Sequence, residues 1–244
     1  MNSLQKLLSR TVTLHSRRAA MGKIYKKGSV VVKQHCIKQT EYTKEYDLLS
    51  NISHDNIIFP QKSYIEDKKF CVEYKYYNEG DLYNWIVSRE PKEVRDSFYW
   101  IAEQTANSLK HVHDLGLVHL DVKPENYLLS GKLITLIDFE TAESFYENHP
   151  HSLATGFVKK GTYKYMAPEM IQNCDYSPLS DVYSLGLLYY LVICYRLPDR
   201  VEPDIRPVSR AYPEFADCLT QMLQQNHVYR HQIKDVLDII KSCK

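Results

Sequence analysis

The spacing of apolar residues changes once along this chain, near residue 80, and that change limits the architecture more than any other feature. Before it, β-branched and aromatic residues fall in short runs: Arg10 to His15, Lys23 to Tyr25, Ser29 to Lys33, Ile57 to Tyr64 and Lys69 to Glu73. The charged turn Glu66-Asp67-Lys68 joins the last two. One helical segment, about Glu41 to Asn51, interrupts the strands and carries Tyr42, Leu48, Leu49 and Ile52 on an apolar side. After Gly80 the period is helical. Leu82 to Val87 forms one segment and Val94 to Leu115 another, the latter with Phe98, Ile101, Ala102, Thr105, Leu109 and Val112 recurring at three and four. Short strands and tight loops occupy His119 to Phe139. The remainder is mainly helix, interrupted by Pro168, Pro178, Pro198, Pro203, Pro207 and Pro213. An α+β fold is expected, a small strand-rich lobe followed by a larger helical one, with the seam near Tyr76 to Asp81.

Composition excludes some partners. A net charge of +1 gives no general argument for nucleic acid or a membrane surface. The six cysteines contain no C-x-x-C pair, which suits a reduced intracellular protein rather than a disulfide scaffold or zinc module. The most apolar run, Tyr183 to Tyr195, falls short of the roughly 20 residues a membrane helix needs, and is read as a buried helix. Met1 to Ala20 is basic, with Lys6, Arg10, Arg17 and Arg18 and no acidic residue. It suits either a transit peptide or a short tail leading into a first strand at Thr11 to His15. Removing it would damage the small lobe, which favours the second reading.

Chemistry concentrates in His119-Leu120-Asp121-Val122-Lys123-Pro124-Glu125-Asn126 and, one short strand later, Asp138-Phe139-Glu140. Together with Ala167-Pro168-Glu169 and Ser180 to Gly186, these segments resemble the eukaryotic protein-kinase superfamily, serine/threonine type, over about residues 11 to 240. The resemblance implies a bilobal protein-kinase-like fold, with a small lobe over about 11–76, a large lobe over about 81–240 and a short basic extension at 1–10.

Phosphoryl transfer needs in-line positioning, a partner for the hydroxyl proton and positive charge along the triphosphate. By resemblance, Asp121 accepts the substrate's hydroxyl proton and Lys123 meets the transferred phosphate. Asn126 and Asp138 are the magnesium ligands, both with the hard oxygens that ion prefers. Thr162, in Gly161-Thr162-Tyr163-Lys164-Tyr165, matches the threonine that bonds to the catalytic Asp and Lys. In the small lobe, Lys33 matches the strand lysine that contacts the first two phosphates, and Glu45 the helix carboxylate that holds it. Ile24, Val31 and Leu128 would enclose adenine, and the backbone of Glu73 and Lys75 would bind its edge. Asp81 either binds the ribose or simply caps the helix beginning at Leu82. Glu169 and Arg230 match a scaffold ion pair, and Asp181 the residue that holds the catalytic-loop backbone.

Three features depart from that pattern. In the Gly-rich loop only Gly22 survives, with Arg17 and Ala19 at the other glycine positions, so close backbone approach to phosphate is weakened. Glu140 stands where the family has glycine. Leu120 replaces the arginine that pairs with an activation-segment phosphate, which implies that phosphorylation at Ser152 or Thr155 is not required. The His-Leu-Asp loop is also similar to kinases of the Wee1/Myt1 type and the Mos type. The function implied is transfer of the γ-phosphate of ATP, with Mg2+, to serine or threonine of a protein substrate. The rival readings are a pseudokinase acting as a nucleotide-binding or protein-binding module and a small-molecule phosphotransferase. The setting implied is cytoplasm or nucleus, with a regulatory protein as a possible partner and neither nucleic acid nor membrane.

Overall fold

A computed structural model describes residues 23–36, 41–145, 153–156, 160–199 and 203–243. The expected strand at Arg10 to His15, the loop positions Arg17, Ala19 and Gly22, and Ser152 lie outside the described residues. The fold is bilobal α+β, with strands gathered in the first part of the chain and helices in the second. It divides into two compact units. One comprises the residues up to Trp85 together with Glu125–Glu140, the other Ile86–Pro124 together with the chain from Thr141 onward.

In the first unit, β1 (Lys23–Lys27), β2 (Val30–Cys36), β3 (Pro60–Glu66) and β4 (Lys69–Lys75) make an antiparallel sheet in the order β1-β2-β4-β3. Val30-Val31-Val32 drives β2, because β-branched side chains are stiff at χ1 and pack well on a pleated surface. The β1–β2 loop places Gly28 at φ +61°, where glycine carries no Cβ penalty. Asp67 and Lys68 join β3 to β4 with φ of +48° and +56°, as a two-residue hairpin turn requires. Register sets Ile24 and Val72 on either side of Lys33, and Tyr74 opposite Val31. Directly paired residues point to one face, so these five share it, and all are buried. Helix α1 (Glu41–Leu49) brings Glu45 and Leu49, both buried, to this unit.

The strand expected from Ile57 begins only at Pro60. Ile57 and Ile58 are buried as a strand pattern would require, but their backbone is used elsewhere. Ile57 bridges Leu136 in parallel, Ile58 N–H donates to Leu136 O (2.9 Å), and Leu136 N–H donates to Asn56 O (2.8 Å). The Asn56 amide donates to Ile134 O at 2.8 Å. The segment His54 to Ile58 therefore fastens the hairpin of strands Tyr127–Ser130 and Leu133–Leu136 to the first unit.

The helices after α2 (Leu82–Val87) build the second unit. Instead of one helix from Val94 to Leu115 there are two, α3 (Pro91–Asp96) and α4 (Phe98–Asp114). Ser97 separates them with φ −90° and ψ 0°, and its N–H (3.2 Å) and hydroxyl (2.9 Å) both donate to Glu93 O. After α5 (Pro168–Asn173), helix α6 (Pro178–Cys194) is buried from Leu179 to Ile193, as an all-round apolar helix should be. Pro178 at its first turn and the Ser177–Ser180 capping box start it. Phe98 of α4 meets Tyr189 of α6 edge-on at 5.6 Å, while Tyr189 Oη donates to Ala102 O at 2.8 Å. Helices α7 (Arg206–Ala211), α8 (Pro213–Met222) and α9 (Ile233–Ser242) complete the unit, with Phe215 of α8 5.0 Å from Phe98. No helix among the described residues is long and apolar enough to cross a membrane.

Candidate active site

The first unit assembles a buried charge cluster around Lys33. Its ammonium makes a hydrogen-bonded ion pair with Glu45 across the β2–α1 packing, and both side chains are almost fully enclosed. The second carboxylate oxygen of Glu45 accepts the Phe139 backbone N–H at 3.3 Å. Glu140 then places its own Oε1 2.5 Å from Lys33 Nζ. Burial alone disfavours the ammonium, but Glu45, Glu140 and Asp138 outweigh it and hold Lys33 protonated well above the usual lysine range.

Asn126 and Asp138 are brought together by the hairpin. Asn126 immediately precedes its first strand, Asp138 follows its second by two residues, and Ile137 N–H donates to Asn126 O at 2.9 Å. Both side chains are buried, at 0% and 4% exposure. Asp138 has φ +69°, a left-handed backbone that aspartate tolerates better than most residues. An amide and a carboxylate supply two hard oxygens. This donor set fits Mg2+, which keeps waters and substrate oxygens in its shell. No cluster of three or more His, Cys, Asp or Glu among the described residues offers a full protein cage.

The remaining expected residues of this unit are placed as follows. Ile24 and Val31 lie on the Lys33 face of the sheet, and Leu128 is fully buried in the hairpin. Glu73 and Lys75 stand in β4 opposite Val32 and Val30. Asp81 acts as the N-cap of α2: Oδ1 accepts Asn84 N–H and Oδ2 the Asn84 side-chain amide, both at 2.7 Å. The capping role expected for Asp81 is therefore seen.

The second unit assembles Asp121, Lys123 and Thr162. Lys123 Nζ donates to Asp121 Oδ2 (2.5 Å) and to Thr162 Oγ1 (2.6 Å). Behind them Asp181, 1% exposed, accepts the backbone N–H of His119 and of Leu120, each at 2.8 Å. This clamp offsets an unfavourable backbone: Leu120 has φ +65°, a region that costs a leucine about 1–2 kcal/mol. Gly161 abuts the same loop at φ +95°, and a Cβ there would come within 2.2 Å of Leu120 O, so no larger residue fits. The Leu120 side chain is buried, leaving an aliphatic group where a phosphate-pairing cation would stand.

Glu169 of α5 and Arg230 form a two-pronged pair, Nη1 to Oε1 at 2.7 Å and Nη2 to Oε2 at 2.8 Å. Burial pushes the Glu169 pKa up, but the Arg230 bonds and charge, with a bond from Ser180, hold it below its ordinary value.

Sequence reasoning missed three participants. His113 Nε2 lies 3.0 Å from Asp181 Oδ2, so the ring carries its proton there and adds a third donor to that carboxylate. Asn56 secures the strand that leads to Asp138. Glu140 pairs with Lys33. Asn56, in His54-Asp55-Asn56-Ile57, and Glu140, in Asp138-Phe139-Glu140, stood within motifs that could have pointed to them, whereas His113 did not.

Residues 9–243 match the protein kinase domain family. Among relatives, the chain is 30% identical over 67% of its length to "Probable serine/threonine-protein kinase pXi" of Dictyostelium discoideum, of which the match covers 23%. It is 28% identical over 75% of its length to calcium-dependent protein kinase 3 of Plasmodium yoelii yoelii, covering 34% of that protein. It is 31% identical over 65% to serine/threonine-protein kinase Nek9 of Xenopus laevis, covering 17%. The chain thus spans well under half the length of these relatives. They are of different kinase kinds, and the likeness of the His-Leu-Asp loop to Wee1/Myt1-type and Mos-type kinases gains nothing from them. The chain belongs to the eukaryotic protein kinase superfamily and is broadly of the serine/threonine type.

Proposed function

We propose that this chain is an ATP-dependent protein kinase that transfers the γ-phosphate to serine or threonine hydroxyls of protein substrates, with Mg2+ as cofactor. The observation that carries the reading is the Lys123 ammonium held between Asp121 and Thr162. Asp121 would orient the acceptor hydroxyl and take its proton. Lys123 would offset charge developing on the transferred group, with the Thr162 hydroxyl keeping the ammonium aimed. Lys33, locked by Glu45, would hold the first two phosphates. Asn126 and Asp138 would hold magnesium, which when bound neutralises phosphate charge and aligns the leaving group. Ile24, Val31 and Leu128 would enclose adenine, the backbone of Glu73 and Lys75 would meet its edge, and Gly22 would approach the phosphates. The catalytic domain would run over 11–240 after the basic extension 1–10. A cytoplasmic or nuclear setting and a regulatory protein partner belong to the same proposal.

A pseudokinase that binds nucleotide or protein without transfer is favoured by one observation, the Glu140 carboxylate on Lys33. Incubation with γ-labelled ATP, Mg2+ and a generic protein acceptor separates the readings. The kinase reading expects transfer by wild type and a loss of about 10²–10⁴-fold in Asp121→Asn, with transfer also lost in Asp138→Ala. Thermal stabilisation by nucleotide without transfer by the wild type would favour the pseudokinase.

A further inference from the structure

In this structure Lys33 is shared between two carboxylates of unequal standing. Glu45 is enclosed, with 7% of its side chain exposed, and is tied at its other oxygen to the Phe139 backbone. Glu140 carries the second contact at 2.5 Å with 30% of its side chain exposed. It sits one residue beyond the anchored Phe139, in the short turn Phe139–Thr141, so its approach to Lys33 is set by a fixed backbone rather than by a wandering surface side chain. Two carboxylates against one ammonium leave net negative charge, and Asp138 adds to the field there. A polyphosphate entering such a site meets like charge, which disfavours binding until one carboxylate withdraws. Glu45 is held in place by its enclosure and by its second bond, to the Phe139 N–H, which withdrawal would also break. Glu140 can withdraw, because its carboxylate already reaches solvent.

We propose that Glu140 is an internal competitor for the nucleotide phosphates: it occupies Lys33 in the free protein and must give up that contact before a nucleoside di- or triphosphate can bind. The inference rests on the nucleotide site proposed at Lys33 and adds the residue that sets its affinity. The apparent dissociation constant equals the intrinsic one divided by the fraction of molecules with Lys33 released, so removing the competitor tightens binding directly. The effect is confined to ligands that carry phosphate, since adenosine makes no demand on Lys33.

The test is equilibrium binding of a non-hydrolysable ATP analogue and, separately, of adenosine to the full chain as wild type, Glu140→Gln and Glu140→Gly. Glutamine keeps the shape and removes the charge, so a folded variant is available if glycine loosens the turn. The expected result is analogue binding tightened about tenfold in both variants, corresponding to about 1.4 kcal/mol, with adenosine affinity unchanged. Equal analogue affinity in all three proteins overturns the inference while leaving the kinase reading in place. An equal gain for adenosine also overturns it, because the change then lies in pocket shape. If no variant binds the analogue, the nucleotide-site reading falls and this inference falls with it.

Discussion

Replacing Arg230 by methionine tests the scaffold of the second unit where it is most highly bonded. All five N–H groups of that guanidinium are used: two on Glu169, one each on Leu179 O (3.0 Å), Gln224 O (2.8 Å) and Gln225 O (3.2 Å). Its Cζ also lies 4.8 Å from the centre of the Tyr183 ring. Methionine restores much of the packing but leaves the Glu169 carboxylate, 7% exposed, with Ser180 as its remaining side-chain donor of those described. Removing one partner of a buried pair costs about 3–5 kcal/mol. For a protein of this size each kcal/mol moves the midpoint by about 2–4 °C, so thermal denaturation should show Tm falling by about 6–20 °C. Adding Glu169→Gln to the same protein removes the stranded charge and should recover a substantial part of the loss. A fall of less than about 4 °C, or no recovery in the double variant, would show that the pair is not the anchor the geometry implies.

The same carboxylate predicts a pH effect. Because its folded pKa is lowered from 4.5, its contribution is present above the ordinary glutamate range and is lost as pH falls through the folded value. Wild-type stability should therefore fall more steeply than that of Glu169→Gln on acidification below that range, and parallel curves would contradict this. Thr162→Ala removes the hydroxyl that accepts from Lys123 and should lower transfer about 10–100-fold, as expected for one hydrogen bond to a charged group, while Thr162→Ser retains most activity. Equal rates for the two variants would remove Thr162 from the mechanism. Phosphatase treatment should leave transfer unchanged, since buried Leu120 offers no cation to a phosphate. A rise of about tenfold or more on phosphorylation at Ser152 or Thr155 would overturn that expectation.

Much of the fold was legible because its signals are local. Three consecutive valines specify β2, the Phe98 to Val112 stripe specifies α4, and an all-round apolar segment specifies the buried α6. The Lys33–Glu45 and Glu169–Arg230 pairs were legible because the resemblance to the kinase family named both partners, and a buried charge requires one. What was not legible depended on where the chain returned. Ile57 and Ile58 read as strand, yet their pairing partner lies nearly eighty residues on, at Leu136. At Ser97 the backbone leaves helical geometry for one residue, at φ −90° and ψ 0°, a break that periodicity does not register. Glu140 announced itself only as a missing glycine. Its contact with Lys33 spans more than a hundred residues and follows from the Glu45–Phe139 tether, which no local pattern encodes.

A single-turnover reaction bears most directly on the claim that the Asp121–Lys123–Thr162 cluster carries out phosphoryl transfer. Excess protein is mixed with MgATP labelled at either the γ- or the α-phosphate and a protein acceptor, and the acceptor is then hydrolysed to its phosphoamino acids. γ-Label is expected on serine and threonine, with none from α-labelled ATP and none with Asp121→Asn. Tight MgATP binding by the wild type with no label moved to any acceptor would contradict that claim.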